Sequence, residues 1–220
     1  MSRKLIAVFT LLALVALACS LTPTTPTTAK PPSGGNVLFH DDFSNSSSGW
    51  DVSSTENGTA NYENGGYRIH ITTTKLSKWA NPSKSFQSDV RIEVDATKVA
   101  GLDDNAFGVM CRYQDENNFY KFYLSSDGYA VIIKEDQGSS SVISSPDGQM
   151  PKVNGINEGA ATNHIRVDCI GDTLTLYANG VQVATATDSS FTGGDVGLVA
   201  AAYDTAGTDI LFKNFYVYKP

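Results

Sequence analysis

The stretch that decides the fold is residues 164–187, HIRVDCIGDTLTLYANGVQVATAT. Apolar and polar residues alternate on both sides of Gly171-Asp172, and a period of two residues is typical of a half-buried β-strand. Asn179-Gly180 favours a type I′ hairpin turn, because both central residues of that turn need positive φ. The stretch therefore predicts three successive antiparallel strands, His164–Ile170, Thr173–Tyr177 and Val181–Thr187.

The same alternation recurs through residues 37–220, and no segment there has the period of a convincing helix. The further predicted strands are Val37–Phe43, Gly66–Thr73, Asp89–Val99, Asn105–Gln114, Phe119–Ser125, Tyr129–Glu135, Val196–Tyr203 and Asp209–Tyr218. Most have one apolar face, as expected when two sheets pack face to face. We expect one all-β domain, a two-sheet antiparallel β-sandwich.

Short motifs occur in a fixed order along this domain: Asp41-Asp42-Phe43-Ser44, Asn64-Gly65-Gly66-Tyr67-Arg68-Ile69, Phe107-Gly108-Val109, Gly171-Asp172-Thr173-Leu174, Gly194-Asp195-Val196-Gly197-Leu198 and Phe212-Lys213-Asn214-Phe215-Tyr216-Val217. Together they resemble the concanavalin A-like lectin/glucanase jelly roll, including its laminin-G-like and 3-keto-disaccharide hydrolase-like members. The resemblance spans nearly all of residues 37–220 and implies a jelly roll. A fold alone does not give function.

The beginning of the chain has the features of an export signal. A short positive start is followed by the apolar run Leu5–Ala18, whose 14 residues are too few for a membrane-spanning helix, which needs about 20. The run ends in Val15–Cys19, which resembles the bacterial lipobox. The resemblance implies removal of residues 1–18 and lipid attachment to Cys19. The alternative is an ordinary secretory signal cleaved after Ala18.

Residues 19–36 form a predicted tether that is rich in threonine and proline. Proline favours extended polyproline II geometry, in which such a segment reaches roughly 50 Å. We therefore expect an exported protein that is lipid-anchored at the cell envelope. Its domain would face the extracellular or periplasmic side, with the lipid as its membrane contact.

The predicted domain is acidic. Residues 37–220 contain 13 lysines and arginines and 23 aspartates and glutamates, a formal charge of −10. This charge argues against nucleic acid as a partner and against direct adhesion to anionic lipid. Two cysteines, Cys111 and Cys169, lie in phase with the apolar faces of their strands. An exported domain favours a disulfide between them, and two buried free thiols are the alternative.

We find no catalytic residues in the sequence. Family 16 glucanases of the same fold carry Glu-x-Asp-x-x-Glu on one strand, which presents two carboxyl groups on one face. Here Glu93 and Asp95 are followed by Thr97 and Lys98, so the motif is incomplete. The three histidines lack zinc-ligand spacing, and no nucleophile elbow or phosphate-binding glycine loop is present.

Polar side chains on the central strands predict a ligand face. Sugars are held by hydrogen-bonding side chains together with aromatic rings. If the strands are neighbours, one sheet face presents Arg112, Gln114, Lys121, Tyr123, Lys134, Arg166, Asp168 and Tyr177, with Trp79 and Tyr203 at its rim. The alternative is an ordinary solvated face with weak surface ion pairs.

The family resemblance also implies a structural Ca²⁺ near the two ends of the domain. The matching positions are Asp42, Gly66 through its carbonyl group, and Asn214 on the last strand. Ca²⁺ takes six to eight oxygen ligands, several of which the backbone can supply. An amide at Asn214 is a weaker ligand than a carboxylate.

The sequence therefore predicts a surface-anchored lipoprotein with a non-catalytic, lectin-like domain that binds a glycan or polysaccharide. Two alternatives stay open, a glycoside-acting hydrolase of the same fold and a protein-binding or structural cell-envelope module. Two or more carboxyl groups in one groove would favour the hydrolase. A flat face or a large exposed apolar patch would favour the third function.

Overall fold

In the computed structural model, which describes residues 36–87 and 89–220, the chain forms sixteen β-strands in two antiparallel sheets. These residues contain no helix that is long and apolar enough to cross a membrane. Cys19, the predicted signal peptide and the predicted tether as far as Gly35 lie outside the described residues. The two-sheet, all-β architecture predicted from the sequence is confirmed.

The first sheet has nine strands: β1 (Asn36–Asp41), β2 (Ser53–Thr55), β3 (Gly58–Glu63), β4 (Gly66–Ile71), β7 (Val90–Ala100), β12 (Thr162–Ile170), β13 (Thr173–Ala178), β14 (Val181–Thr187) and β16 (Thr208–Lys219). Their order across the sheet is β14-β13-β12-β7-β16-β4-β3-β2. Strand β1 pairs with the second half of β16, beyond the end of β4.

The second sheet has seven strands: β5 (Leu76–Ala80), β6 (Ser85–Phe86), β8 (Asn105–Asp115), β9 (Asn118–Leu124), β10 (Ala130–Asp136), β11 (Ser139–Val142) and β15 (Gly194–Ala202). Their order is β11-β10-β9-β8-β15-β5, with β6 paired to the beginning of β15. The sequence-neighbouring strands β8 to β11 form a meander.

The core lies between the inner faces of the two sheets. Alternate residues of the long strands β7, β8, β9, β12, β15 and β16 supply most of it. Near the end of β1, Trp50 packs edge-on against Phe215, with ring centroids 4.9 Å apart, and its Nε1 donates to Asp41 at 2.9 Å. That hydrogen bond satisfies a buried indole N–H, which would otherwise reduce stability.

Cys111 and Cys169 form a disulfide, which confirms the first of the two alternatives. Cys111 lies on β8 of the seven-stranded sheet and Cys169 on β12 of the nine-stranded sheet. Both side chains are completely buried among the inner-face residues. The disulfide therefore joins the two sheets through the core.

Five strands were not predicted: β2, β3, β5, β6 and β11. Among them, β5 contains Trp79, which the sequence placed at the rim of the ligand face. Strand β5 is held by pairing with β15 at the sheet edge, where Trp79 stands opposite Val199. Such edge pairing depends on a distant partner strand, so the local pattern did not reveal it.

Candidate functional site

The outer face of the seven-stranded sheet curves inwards. The hydroxyl groups of Tyr123 on β9 and Ser77 on β5 are hydrogen-bonded, with 2.8 Å between their oxygens. Strands β8 and β15 lie between these two strands, so a flat sheet would hold their backbones about 14 Å apart. A tyrosine and a serine side chain do not span that distance. The sheet therefore bends towards this side, and we call this surface the concave face.

Tyr123 belongs to a buried cluster on the concave face that contains several small residues. Tyr123 stands opposite Gly108 on β8, where a Cβ atom would come 1.9 Å from the carbonyl oxygen of Phe122. Ala106 and Ala201 belong to the same buried cluster on this face. Burial raises the pKa of the Tyr123 hydroxyl, so it stays protonated and available for hydrogen bonding.

A buried ion pair lies next to Tyr123 on the concave face. Lys121 and Glu135 pair with each other, and their side chains are 10% and 11% exposed. The Lys121 ammonium group is also 5.7 Å from the centre of the Phe119 ring and 5.9 Å from that of Tyr123. Because Glu135 balances its charge, Lys121 does not make this face positive.

A cavity of about 360 Å³, the first cavity, opens on the concave face beside β10. Its floor is apolar and consists of Val131, Ile133, Val142 and Met150. Its polar wall includes Asp104, Asp127, Tyr129, Gln149 and Tyr203. Burial, with the charges of Asp104 and Asp127, raises the pKa of the Tyr203 hydroxyl to about 12. The wall therefore combines phenol hydroxyl groups with carboxylates, which suits a ligand with hydroxyl groups.

A second cavity of about 470 Å³ is more polar and is lined by Ser85, Gln87, Tyr113, Gln114, Thr192, Gly193, Gly194 and Asp195. Burial raises the pKa of the Asp195 carboxyl group to about 6, although backbone N–H groups of Val196 and Lys84 donate to it and act in the opposite direction. The negative charge of Asp51 contributes to the increase. Asp195 is thus a carboxyl group with a pKa close to neutrality in an accessible cavity.

The sequence-predicted ligand residues do not form one face, so that prediction was wrong in its geometry. The strands that carry them belong to two different sheets: β8, β9 and β10 to one, β12 and β13 to the other. Lys121 and Tyr123 lie on the concave face, and Gln114 lines the second cavity. Lys134 points to the edge of the sandwich, where its Nζ donates to Asp188 and Ser190 at 3.0 Å each.

Arg112 lies elsewhere than predicted. A bulge in β8 gives it a φ of 53°, and the register with β9 is broken between Cys111 and Asp115. Its buried guanidinium group donates to the carbonyl oxygens of Phe191 and Gly171 at 2.8 Å each. Arg112 therefore ties β8 to the turn between β12 and β13 and is not exposed to a ligand.

Arg166, Asp168 and Tyr177 lie on the outer face of the nine-stranded sheet. Asp168 accepts hydrogen bonds from both Arg166 and Arg91, and the Arg166 guanidinium lies 4.1 Å from the centre of the Tyr177 ring. These contacts satisfy the charges within the face. The sequence left open the alternative that the predicted ligand face is an ordinary solvated face, and this surface resembles that alternative. Each of its ion pairs contributes little to stability.

His164 lies on that same face and contacts two carboxylates. Its Nδ1 lies 2.8 Å from Asp95, and its Nε2 lies 3.6 Å from the buried Glu93. These two carboxylates raise the pKa of His164 from 6.5 to about 9. The incomplete glucanase motif therefore holds a protonated histidine on the outer face of the nine-stranded sheet, away from both cavities.

The raised pKa of His164 predicts a loss of stability in alkali. The folded state binds this proton more tightly than the unfolded chain, so the stabilisation is complete below pH 6.5 and is lost as pH rises through about 9. Since 44% of the side chain is exposed, screening limits the loss to about 1 kcal/mol. Urea unfolding on both sides of this range would measure it. A His164→Gln variant with the same pH dependence as the parent would contradict the assignment.

The residues of the predicted calcium site come from segments that meet around one bulge. Strands β4 and β1 pair with successive parts of β16, and Asn214 lies between those parts with a φ of 55°. The amide of Asn214, however, donates to Asp95 at 2.8 Å. Among residues 36–87 and 89–220, no three His, Cys, Asp or Glu side chains group as metal ligands. Asp42, Gly66 and Asn214 therefore fit Ca²⁺ only in part, and the site stays a prediction.

Sequence reasoning missed Asp104, Asp127, Tyr129 and Asp195, which line the cavities. Asp127 lies in the tight turn before β10, and Asp195 lies at the beginning of β15. The sequence signal of the three aspartates was an acidic residue in a turn or at a strand end, and Asp195 also lies in the Gly194–Leu198 motif. Many solvated loops have the same signal, so it did not single them out.

No family model and no curated protein matches the chain. Among solved structures, it is similar to the carbohydrate-binding module CBM66 from Bacillus subtilis, with 24% identity, 78% of this chain and 96% of that chain covered, and a TM-score of 0.61. It is also similar to a Bacillus licheniformis β-glucanase, with 12% identity, 86% and 100% coverage, and a TM-score of 0.59. A third is an endo-acting O-glycanase from the human gut microbiota, with 10% identity, 83% and 99% coverage, and a TM-score of 0.55.

At these identities the likeness concerns the fold. The described residues form a concanavalin A-like jelly-roll β-sandwich.

Proposed function

We propose that the chain is a surface-anchored lipoprotein whose domain binds a glycan or polysaccharide on its concave face without catalysis. The observation that carries the proposal is the first cavity, where half-buried tyrosines adjoin carboxylates above an apolar floor. Aromatic rings pack on the C–H faces of sugars, and carboxylates accept hydrogen bonds from their hydroxyl groups. The similar carbohydrate-binding module and glycan-acting enzymes support the same ligand class.

Lipid attachment at Cys19 belongs to the proposal and rests on the residues that precede it. The apolar run ends in a small residue followed directly by cysteine, and a Thr/Pro-rich segment separates that cysteine from the domain. Intact-mass analysis of the protein exported from a bacterial host tests this part independently. An unmodified cysteine in the exported protein would contradict it.

Replacing Tyr203 with alanine should weaken glycan binding at least tenfold, because the first cavity loses a half-buried ring. The experiment is affinity electrophoresis of the parent and the variant in gels that contain β-glucan, xylan or mucin, followed by calorimetry with the polymer that retards the parent. A tenfold loss corresponds to about 1.4 kcal/mol of binding free energy. The melting temperature of the variant shows whether it is folded.

Tyr177→Ala is the matched control variant on the outer face of the nine-stranded sheet, which carries the other predicted ligand residues. Tyr177 is also half-buried, but it lies on the nine-stranded sheet under Arg166. We expect it to bind like the parent. If Tyr177→Ala loses binding and Tyr203→Ala does not, the ligand face is the one that carries Arg166 and Asp168. If the parent is retarded by none of the polymers, the glycan-binding proposal is wrong.

A second function, glycoside hydrolysis, is favoured by one observation. Asp195 combines a raised pKa with a position in the second cavity, and the charge of Asp51 acts on it. Glycosidases use one protonated and one ionised carboxyl group of this kind. The test is whether the parent releases reducing ends from the same polymers and whether Asp195→Asn loses this activity. If both hold, glycoside hydrolysis is the function in place of binding without catalysis.

A further inference from the structure

The two cavities lie on the same face of the sandwich. Strand β15 runs from Asp195, which lines the second cavity, to Ala202, and Tyr203 of the first cavity follows it. Residues of one strand that are an even number apart point to the same side, and Asp195 and Tyr203 are eight residues apart. At about 3.3 Å per residue, the cavities are about 26 Å apart along the strand.

Aromatic side chains line the surface between the cavities. Trp79 and Tyr113 are half-buried, and both rings pack against Phe119, at centroid distances of 5.8 Å and 5.2 Å. Tyr113 stands opposite Asp195 in the register of β8 and β15, so this aromatic group adjoins the second cavity. Trp79 stands opposite Val199, midway along β15. The concave face therefore offers stacking surfaces between its two cavities.

The charge of the two cavities is negative. Asp104 and Asp127 line the first and Asp195 lines the second, and among the described lining residues there is no lysine or arginine. Of the nearby lysines, Lys121 is paired with Glu135 and Lys152 with Glu158. The positive charge of Lys84 acts on Asp195 as the weakest of the influences on that carboxyl group. A polymer that carries carboxylates or sulfates would meet like charges at both ends, which is unfavourable. A neutral or amino-bearing polymer would not.

From this arrangement we infer that the concave face holds a polysaccharide chain without acidic groups, along its length and from one cavity to the other. The inference rests on the proposed glycan binding and specifies the ligand class. A chain bound in this way makes contacts in both cavities and on the aromatic group between them. Affinity therefore increases with chain length until the chain spans the two cavities.

Calorimetry with oligosaccharides of a neutral β-glucan or xylan, from the disaccharide to the octasaccharide, tests the length dependence. The expected result is an affinity at least tenfold higher for the octasaccharide than for the disaccharide. Gln114→Ala, at the far wall of the second cavity, should weaken octasaccharide binding and leave disaccharide binding at the first cavity unchanged. Gln182→Ala, an exposed glutamine on β14 of the other sheet, is the matched control.

Each unfavourable result has a separate meaning. Equal affinities for the disaccharide and the octasaccharide would overturn the spanning mode and leave glycan binding intact. Tighter binding of alginate than of β-glucan, xylan or chitosan in affinity gels would overturn the exclusion of acidic polymers. Failure of all these polymers to bind the folded parent would overturn the proposed function, and this inference with it.

Discussion

Replacing Cys111 and Cys169 together with alanine is expected to lower the free energy of unfolding by about 4 kcal/mol. The disulfide joins residues 58 positions apart in the sequence, and it connects β8 of one sheet to β12 of the other. Without it the unfolded chain gains the conformational freedom of that loop, which gives about this value in the chain-entropy model. Urea unfolding of the parent and the double variant measures the difference.

Chemical reduction of the parent is the matched control, because it removes the bond and keeps both sulfur atoms. It should produce most of the same loss. The bond lies in the core and away from the concave face. The double variant, where folded, should therefore bind glycan as the parent does. A change in stability of less than 1 kcal/mol would show that the unfolded chain retains structure across the loop.

Arg112→Met is expected to lower the free energy of unfolding by about 3 kcal/mol. Methionine keeps much of the side-chain volume but leaves the carbonyl groups of Phe191 and Gly171 without their donors. A buried polar group that loses its partner costs roughly 1–3 kcal/mol. The charge contact with Asp89, at 3.4 Å, is lost as well. Equilibrium denaturation in urea measures the effect.

Arg166→Met is the matched control for Arg112→Met. Its side chain is 32% exposed, and Asp168 retains its hydrogen bonds from Arg91 when Arg166 is removed. The expected cost is below about 1 kcal/mol. An Arg112→Met variant that is as stable as the parent but has lost glycan binding would restore the original hypothesis that Arg112 is a ligand residue.

The fold was predictable because its signals are local. The alternation in residues 164–187 and the Asn179-Gly180 turn specify β12 to β14, and the structure has these strands with their hairpins. The sequence also predicted that Cys111 and Cys169 lie on the apolar faces of their strands, and both are buried in the core. Each of these features depends on neighbours within a few residues, so the sequence alone contains them.

The candidate site was not predictable to the same degree. The bulge at Arg112 shifts the phase of the end of β8, so Tyr113, rather than Arg112, faces outwards beside Phe119. Assigning side chains to the two faces of a strand by counting residues assumes regular pairing. The assignment is therefore wrong beyond a bulge that the count does not detect. The assumption that β8, β9, β12 and β13 share a sheet failed for a related reason, since sheet membership depends on partners far away in the sequence.

By itself the sequence determined a two-sheet antiparallel β-sandwich with two cysteines on its apolar faces, because side-chain alternation and turn chemistry are properties of short segments. The jelly roll was implied by the family resemblance of the motifs. Only the tertiary structure decided which strands are neighbours and which polar residues share a face. Tyr123 reaches Ser77 because the seven-stranded sheet bends, and Tyr203 lies near Asp104 because β15 pairs with the distant strand β8. Such convergence is set by long-range pairing, which no local pattern encodes.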